Sequence, residues 1–351
     1  MTRSIHSIFT SLIASCLLAS SGTMFAASTV EALDRSSIDT QLGNQSVLLD
    51  VASVNNELYA VGERGLILKS DDGFQWEQQK SPVSVTLTGI SFSDDLHGYA
   101  IGHGGVVLKT INGGKNWTKI WDGRVMANQL LAKSKLEGDA EKIRHRQHLV
   151  DDGPDKPFLD LLQIGPDHVV VVGAYGLVFE TKDGGETWQP WMDRIENFFG
   201  AHLYSIRKRD DQILIAGEMG FVALSDDAGE TFTTLETPYE GSYFTSELLQ
   251  DGRILLSGLR GNTFTSSDNG ESWTSIFNPI AASITASTTL SDGKVVLVSQ
   301  AGLIQFLEGD SLVVTKHHAF PPLTNVFQTS KGDLLTLSIH GAISVSKGGL
   351  Q

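Results

Sequence analysis

Tyr59-Ala-Val-Gly-Glu-Arg-Gly-Leu-Ile-Leu68 is an apolar run, a Gly-x-x-Gly break and a second apolar run. The same phrase recurs along the chain. Close copies are Tyr99-Ala-Ile-Gly-His-Gly-Gly-Val-Val-Leu108, Val170-Val-Val-Gly-Ala-Tyr-Gly-Leu-Val-Phe179 and Leu214-Ile-Ala-Gly-Glu-Met-Gly-Phe-Val-Ala223. Leu255-Leu-Ser-Gly-Leu-Arg-Gly-Asn-Thr-Phe264 is a fifth, and Leu297-Val-Ser-Gln-Ala-Gly302 and Leu337-Ser-Ile-His-Gly341 are degenerate sixth and seventh copies. The second glycines stand at 65, 105, 176, 220, 261, 302 and 341, about forty residues apart except for one longer gap. Forty residues is what one four-stranded propeller blade consumes. Seven copies therefore predict an all-β, seven-bladed β-propeller. The long gap predicts one insertion before blade three. Each Gly-x-x-Gly is expected to be a tight hairpin whose glycines supply positive φ.

A second phrase follows the first in register. Thr181-Lys-Asp-Gly-Gly-Glu-Thr-Trp188, Ser225-Asp-Asp-Ala-Gly-Glu-Thr-Phe232 and Ser266-Ser-Asp-Asn-Gly-Glu-Ser-Trp273 match the Asp-box pattern. Thr110-Ile-Asn-Gly-Gly-Lys-Asn-Trp117 keeps the spacing with Asn112 in place of Asp, and Ser70-Asp-Asp-Gly-Phe-Gln-Trp76 is one residue shorter. Asp72, Asn112, Asp183, Asp227 and Asp268 are thus expected to cap turn N–H groups while the aromatic plugs the gap between outer strands. In blade three the four strands are expected at 160–164, 169–173, 177–182 and 187–191. The last repeat runs out after its third strand, so Ser28–Asp39 is expected to pair beside it and close the ring.

Residues 1–27 read as a secretory signal: Arg3, an apolar run from Ile8 to Leu18, then small residues up to Ala27. The propeller is expected over 28–351, and the chain beyond the inner membrane, periplasmic or secreted. Ile13-Ala14-Ser15-Cys16 also resembles a lipobox, which would make Cys16 a lipid anchor to the envelope. Cys16 is the only cysteine, so cleavage after the signal leaves no thiol. With 26 Lys+Arg against 41 Asp+Glu the formal charge is −15, which repels nucleic-acid phosphate. His145/His148 and His317/His318 lack companion ligands at metal spacing, so neither metal nor cofactor is expected.

The paired motifs resemble those of the photosystem II stability and assembly factor family, seven-bladed propellers of BNR/Asp-box repeats, over roughly residues 45 to 350. That resemblance implies a non-enzymatic, monomeric binding protein that helps assemble a membrane-protein complex. Relatives in non-photosynthetic bacteria are exported and often encoded beside resistance-nodulation-division (RND) exporters, which makes such an exporter the expected partner of this acidic, exported chain. A carbohydrate-binding or sialidase-like propeller is the alternative. It would need paired carboxylates or an arginine cluster, and neither stands out.

Recognition is expected on the face where turns between second and third strands (b–c turns) and the connections between blades emerge. The variable turn residues Glu63, Arg64, His103, Tyr175, Glu218, Met219, Arg260, Gln300 and His340 would ring the channel mouth there. The insertion, 122–157, reads as two helices, 124–136 and 141–149. It carries Lys133, Lys135, Arg144 and Arg146, a basic element on an acidic chain and a candidate docking piece. Phe198 and Phe199, in the connection after blade three, are candidate apolar contacts.

Overall fold

The computed structural model describes residues 31–315 and 319–346; the expected signal over 1–27, Cys16 and His317/His318 lie outside them. Seven antiparallel sheets follow one another along the chain, each with its strands in sequence order. Blade one is Leu48–Val54, Glu57–Gly62, Ile67–Ser70 and Glu77–Gln79. The others span 87–121, 158–190, 203–234, 243–275, 284–314 and 323–345; the seventh has three strands among the described residues. Blade three has strands Phe158–Gln163, Val169–Gly173, Val178–Thr181 and Gln189–Pro190, so the expected outer strand is shortened to two residues. Second strands such as Val169–Gly173 are buried throughout, because they are covered on both faces by neighbouring blades.

The insertion forms helices α1 (Gly123–Glu137) and α2 (Ala140–Asp151). Asp122 caps α1 by accepting from Arg124 N and Val125 N, Gly138 ends it in the left-handed region, and Asp139 caps α2. Met126, Leu130 and Leu131 of α1 are buried. Met126 and Leu130 pack with Trp121, Phe158, Phe179 and Trp188 between blades two and three. Trp121 and Trp188 stack with centroids 4.6 Å apart.

The ring closes on the inside. The first strands align into columns: Leu48, Leu87, Phe158, Leu203, Tyr243, Ile284 and Leu323 open them, all buried. The next position is Thr in blades two, six and seven, and each Oγ1 donates to the opening carbonyl of the following blade: Thr88 to Phe158, Thr285 to Leu323 and Thr324 to Leu48. Asn325 adds bonds to Leu49 O and Asp50 Oδ1, so blade seven is stitched to blade one. The expected closing strand over Ser28–Asp39 is not what residues 31–39 form. They hold no strand, and Ala32 O and Ser37 N bond to Ser84 N and Ser81 O in the connection after blade one; residues 28–30 lie outside the described residues. Leu33 is buried against Val83 and Gly104, and the turn Gly43–Gln45 packs on Gly341. Residues 31–46 are therefore a strap laid over blade one from blade two to blade seven.

Candidate functional site

The b–c turns differ from expectation in how their glycines work. The first glycine is extended (φ −170° at Gly62) and is required by crowding: a Cβ there would stand 2.0 Å from Val47 O. Positive φ falls instead on the second variable residue and on the glycine after it. Arg64 (φ 55°), Tyr175 (57°), Met219 (54°) and Arg260 (58°) all adopt it, and only blade two uses a glycine there, Gly104 (71°). Left-handed backbone costs a residue with a Cβ about 1 kcal/mol. Four of the expected recognition residues thus occupy positions where glycine would serve the fold better.

Around the ring, His103, Tyr175, Met219, Arg260, Gln300 and His340 are exposed. Arg64 has its side chain 89% exposed beside Glu63, which accepts from Val47 N. Glu218 accepts from His202 N. Access is unequal. Leu33 covers Gly104, and Gly123 at the start of α1 lies against Gly105, which places the insertion on this face. A cluster ties strap to insertion: Arg124 bonds both carboxylate oxygens of Asp34 (2.7 and 2.8 Å) and Asp122 (2.8 Å), and Lys119 reaches Asp34 and Asp122. Those bonds hold the Asp34 carboxyl well below its ordinary range.

The basic residues of the insertion do not converge. Lys133, Lys135 and Arg144 are exposed, whereas Arg146 is half-buried near Asp193 and Glu137, its guanidinium lowered by burial. Phe198 (86% exposed) and Phe199 (90%) do join the turn ring: Asn197 and Gly200 of their loop abut Gly176 and Tyr175 O. Sequence reasoning missed the aromatic neighbours His202, Tyr204 and Phe244. Tyr175 lies 4.9 Å from His202, His202 6.4 Å from Tyr204, and Tyr204 5.3 Å from Phe244, centroid to centroid.

On the opposite face the Asp-box carboxylates are engaged by their own turns. Asp183, Asp227 and Asp268 each accept, through Oδ1, the N–H four residues on at 2.9 Å, and through Oδ2 that residue's hydroxyl. These bonds hold all three at about 2. Asn112 keeps the Oδ1 bond to Asn116 N, and Asp72 accepts from Phe74 N and Gln75 N. Inside the channel, burial pushes Asp50 up to about 7 even though Val51 N and Ile90 N donate to it. Asp160 pairs with Arg207 at 2.6 Å. Among the described residues no group of three His, Cys, Asp or Glu could hold a metal, and no helix is long and apolar enough to cross a membrane.

The family described as photosynthesis system II assembly factor YCF48 matches this chain over residues 30–145 and again over 139–310. The chain belongs to that family. Curated relatives include the photosystem II assembly protein Ycf48 of Synechococcus sp. (strain JA-2-3B'a(2-13)), 27% identical over 165 residues, or 44% of this chain and 39% of that one. The photosystem II assembly lipoprotein Ycf48 of Synechococcus sp. (strain CC9902) is 28% identical over 130 residues, 32% of this chain and 37% of the relative. The matched stretches thus span about two fifths of those relatives. Among solved structures, YCF48 bound to D1 peptide superposes with a TM-score of 0.65 at 16% identity, covering 88% of this chain and 98% of that one. YCF48 from Cyanidioschyzon merolae gives 0.64 at 16%, over 87% and 97%. At such identity these two speak for the YCF48 propeller fold.

Proposed function

We propose that this YCF48-family propeller is a non-enzymatic assembly factor that grips a membrane-protein partner through its b–c turn face on the exported side of a membrane. Family membership carries the reading: the curated relatives are named as assembly proteins of photosystem II, and a solved YCF48 is described as bound to a peptide of D1. The strained, exposed turn residues support that face, since strain retained outside the core marks positions kept for another purpose. The relative named as a lipoprotein supports envelope anchoring, with Cys16 as the residue to carry the lipid. The narrower expectation of an RND exporter partner draws no support from these relatives, so the partner is proposed at the level of its class.

Affinity capture with the tagged protein from detergent-solubilised membranes of its source tests the reading. A stoichiometric integral membrane protein is expected. Its recovery should fall when Tyr175, Met219 and Arg260 are changed together to Gly, which relaxes the turns while removing the side chains. Recovery of no membrane protein would defeat the proposal. Charge reversal at Lys133, Lys135 and Arg144 asks separately whether the insertion docks. Deleting 122–157 is the poorer test, because it strips α1 from Trp121 and Trp188.

A further inference from the structure

The second position of the first strand is half-buried in every blade and lines the channel mouth on the b–c face. Where it is Thr88, Thr285 or Thr324 it stitches one blade to the next. Blade one has Leu49 there, and blades three, four and five carry Leu159, Tyr204 and Phe244, consecutive around the ring and holding both aromatics of the column. None of the three hydroxyl stitches comes from this arc, so the fold's own device is given up there for apolar surface. From Tyr204 the apolar path continues outward through His202 to Tyr175, whose loop neighbours Phe198 and Phe199 are almost wholly exposed. Met219, 55% exposed, flanks it on the next turn. A run of exposed aromatics on a rigid scaffold is what recognition anchors look like, and isolated turns of a monomeric surface do not require it.

Charge selects the occupant. Exposed Glu196 and Glu240 stand in the connections on either side, and the Tyr204 phenol is raised by burial first and then by the nearby charge of Glu218. The Lys156 ammonium over the Tyr175 ring is already held by Asp152 and Asp155, and Arg260 is the exposed cation on the blade-five turn. We infer that the strip from Phe198–Phe199 through Tyr175 to Tyr204 and Phe244 docks a peptide segment that carries apolar side chains together with lysine or arginine. Rings take the apolar groups and present π faces to the cations, and the glutamates supply the opposite charge. An anionic lipid surface is disfavoured by the same carboxylates. The inference rests on the proposed use of this face and names the chemistry of what enters it.

Fluorescence anisotropy with a labelled dodecapeptide of alternating Phe and Lys, and with its Glu-for-Lys counterpart, provides the test. The Lys peptide should bind at least tenfold more tightly than the Glu peptide. Phe198→Ser with Phe199→Ser, and separately Glu196→Lys with Glu240→Lys, should each weaken it at least tenfold. Tyr204→Thr with Phe244→Thr should do the same while keeping the fold, since three other blades carry Thr there. Equal affinity for the two peptides, or affinity indifferent to these changes, would overturn the inference. So would aromatic-dependent binding to phosphatidylglycerol vesicles without peptide binding. If membrane capture works and the aromatic variants capture equally well, the inference fails and the assembly-factor reading stands. If the peptide binds as expected and no membrane protein is captured, the reverse holds.

Discussion

At the scale of single residues, the turn glycines and the Asp boxes do opposite jobs. Gly62→Ala drives a Cβ into Val47 O and should cost at least about 2 kcal/mol in urea unfolding. Arg64→Gly relieves a left-handed residue whose side chain is almost free, and should stabilise by up to about 1 kcal/mol after the entropy of the added glycine is counted. The Asp boxes set the acid limb of stability. Asp183, Asp227 and Asp268 titrate at about 2 in the fold against 3.8 ordinarily, so their contribution is whole above about pH 4 and disappears as pH falls through 2. Asn112 shows that an amide can hold the turn. Changing the three aspartates to Asn should therefore flatten acid denaturation between pH 4 and 2, measured by circular dichroism. Both motifs were legible in the sequence. The expectation of positive φ holds for the second glycine and fails for the first, because Val47 O, which dictates the extended Gly62, comes from a residue just before the first strand that the motif does not include.

At the scale of the element, the first strands hold what the motifs concealed. Asp50, Asp160, Asn325 and the threonine stitches sit in strands whose apolar pattern looks ordinary; only alignment of all seven first strands exposes the columns. Tyr204 and Phe244 escaped notice for the same reason, whereas Phe198 and Phe199 stood out as adjacent aromatics in a loop. Burial raises Asp50 to about 7, and the charges of Asp160 and Arg207 also act on it, in opposite directions. An acid raised in the fold binds more protons there than in the unfolded chain, so stability should decline as pH rises from about 4 to above 7. Asp50→Asn should remove that decline, and its unfolding midpoint should differ less between pH 5 and pH 8 than that of the parent. The helices of the insertion were readable within one or two residues at each end, since Asp122, Gly138 and Asp139 are ordinary caps.

At the scale of the whole molecule, blade count and the insertion's place follow from repeat spacing alone, while the strap could not be foreseen. Residues 31–39 carry no strand pattern of their own and are placed by Leu33 finding the pocket beside Gly104 and by the Asp34–Arg124 pair. Thr324→Val should cost about 1 kcal/mol, and its effect should appear in global unfolding, because that hydroxyl joins the last blade to the first. Synthesis delivers the chain in order, so blade one waits with an uncovered flank until Thr324 and Asn325 arrive, some 275 residues later. The strap spans the same seam, touching blade two at Gly104 and blade seven at Gly341. It can seat fully only on a finished circle, which makes its protease resistance a readout of completed maturation, and makes any nascent, half-built form a client for chaperones in its own right.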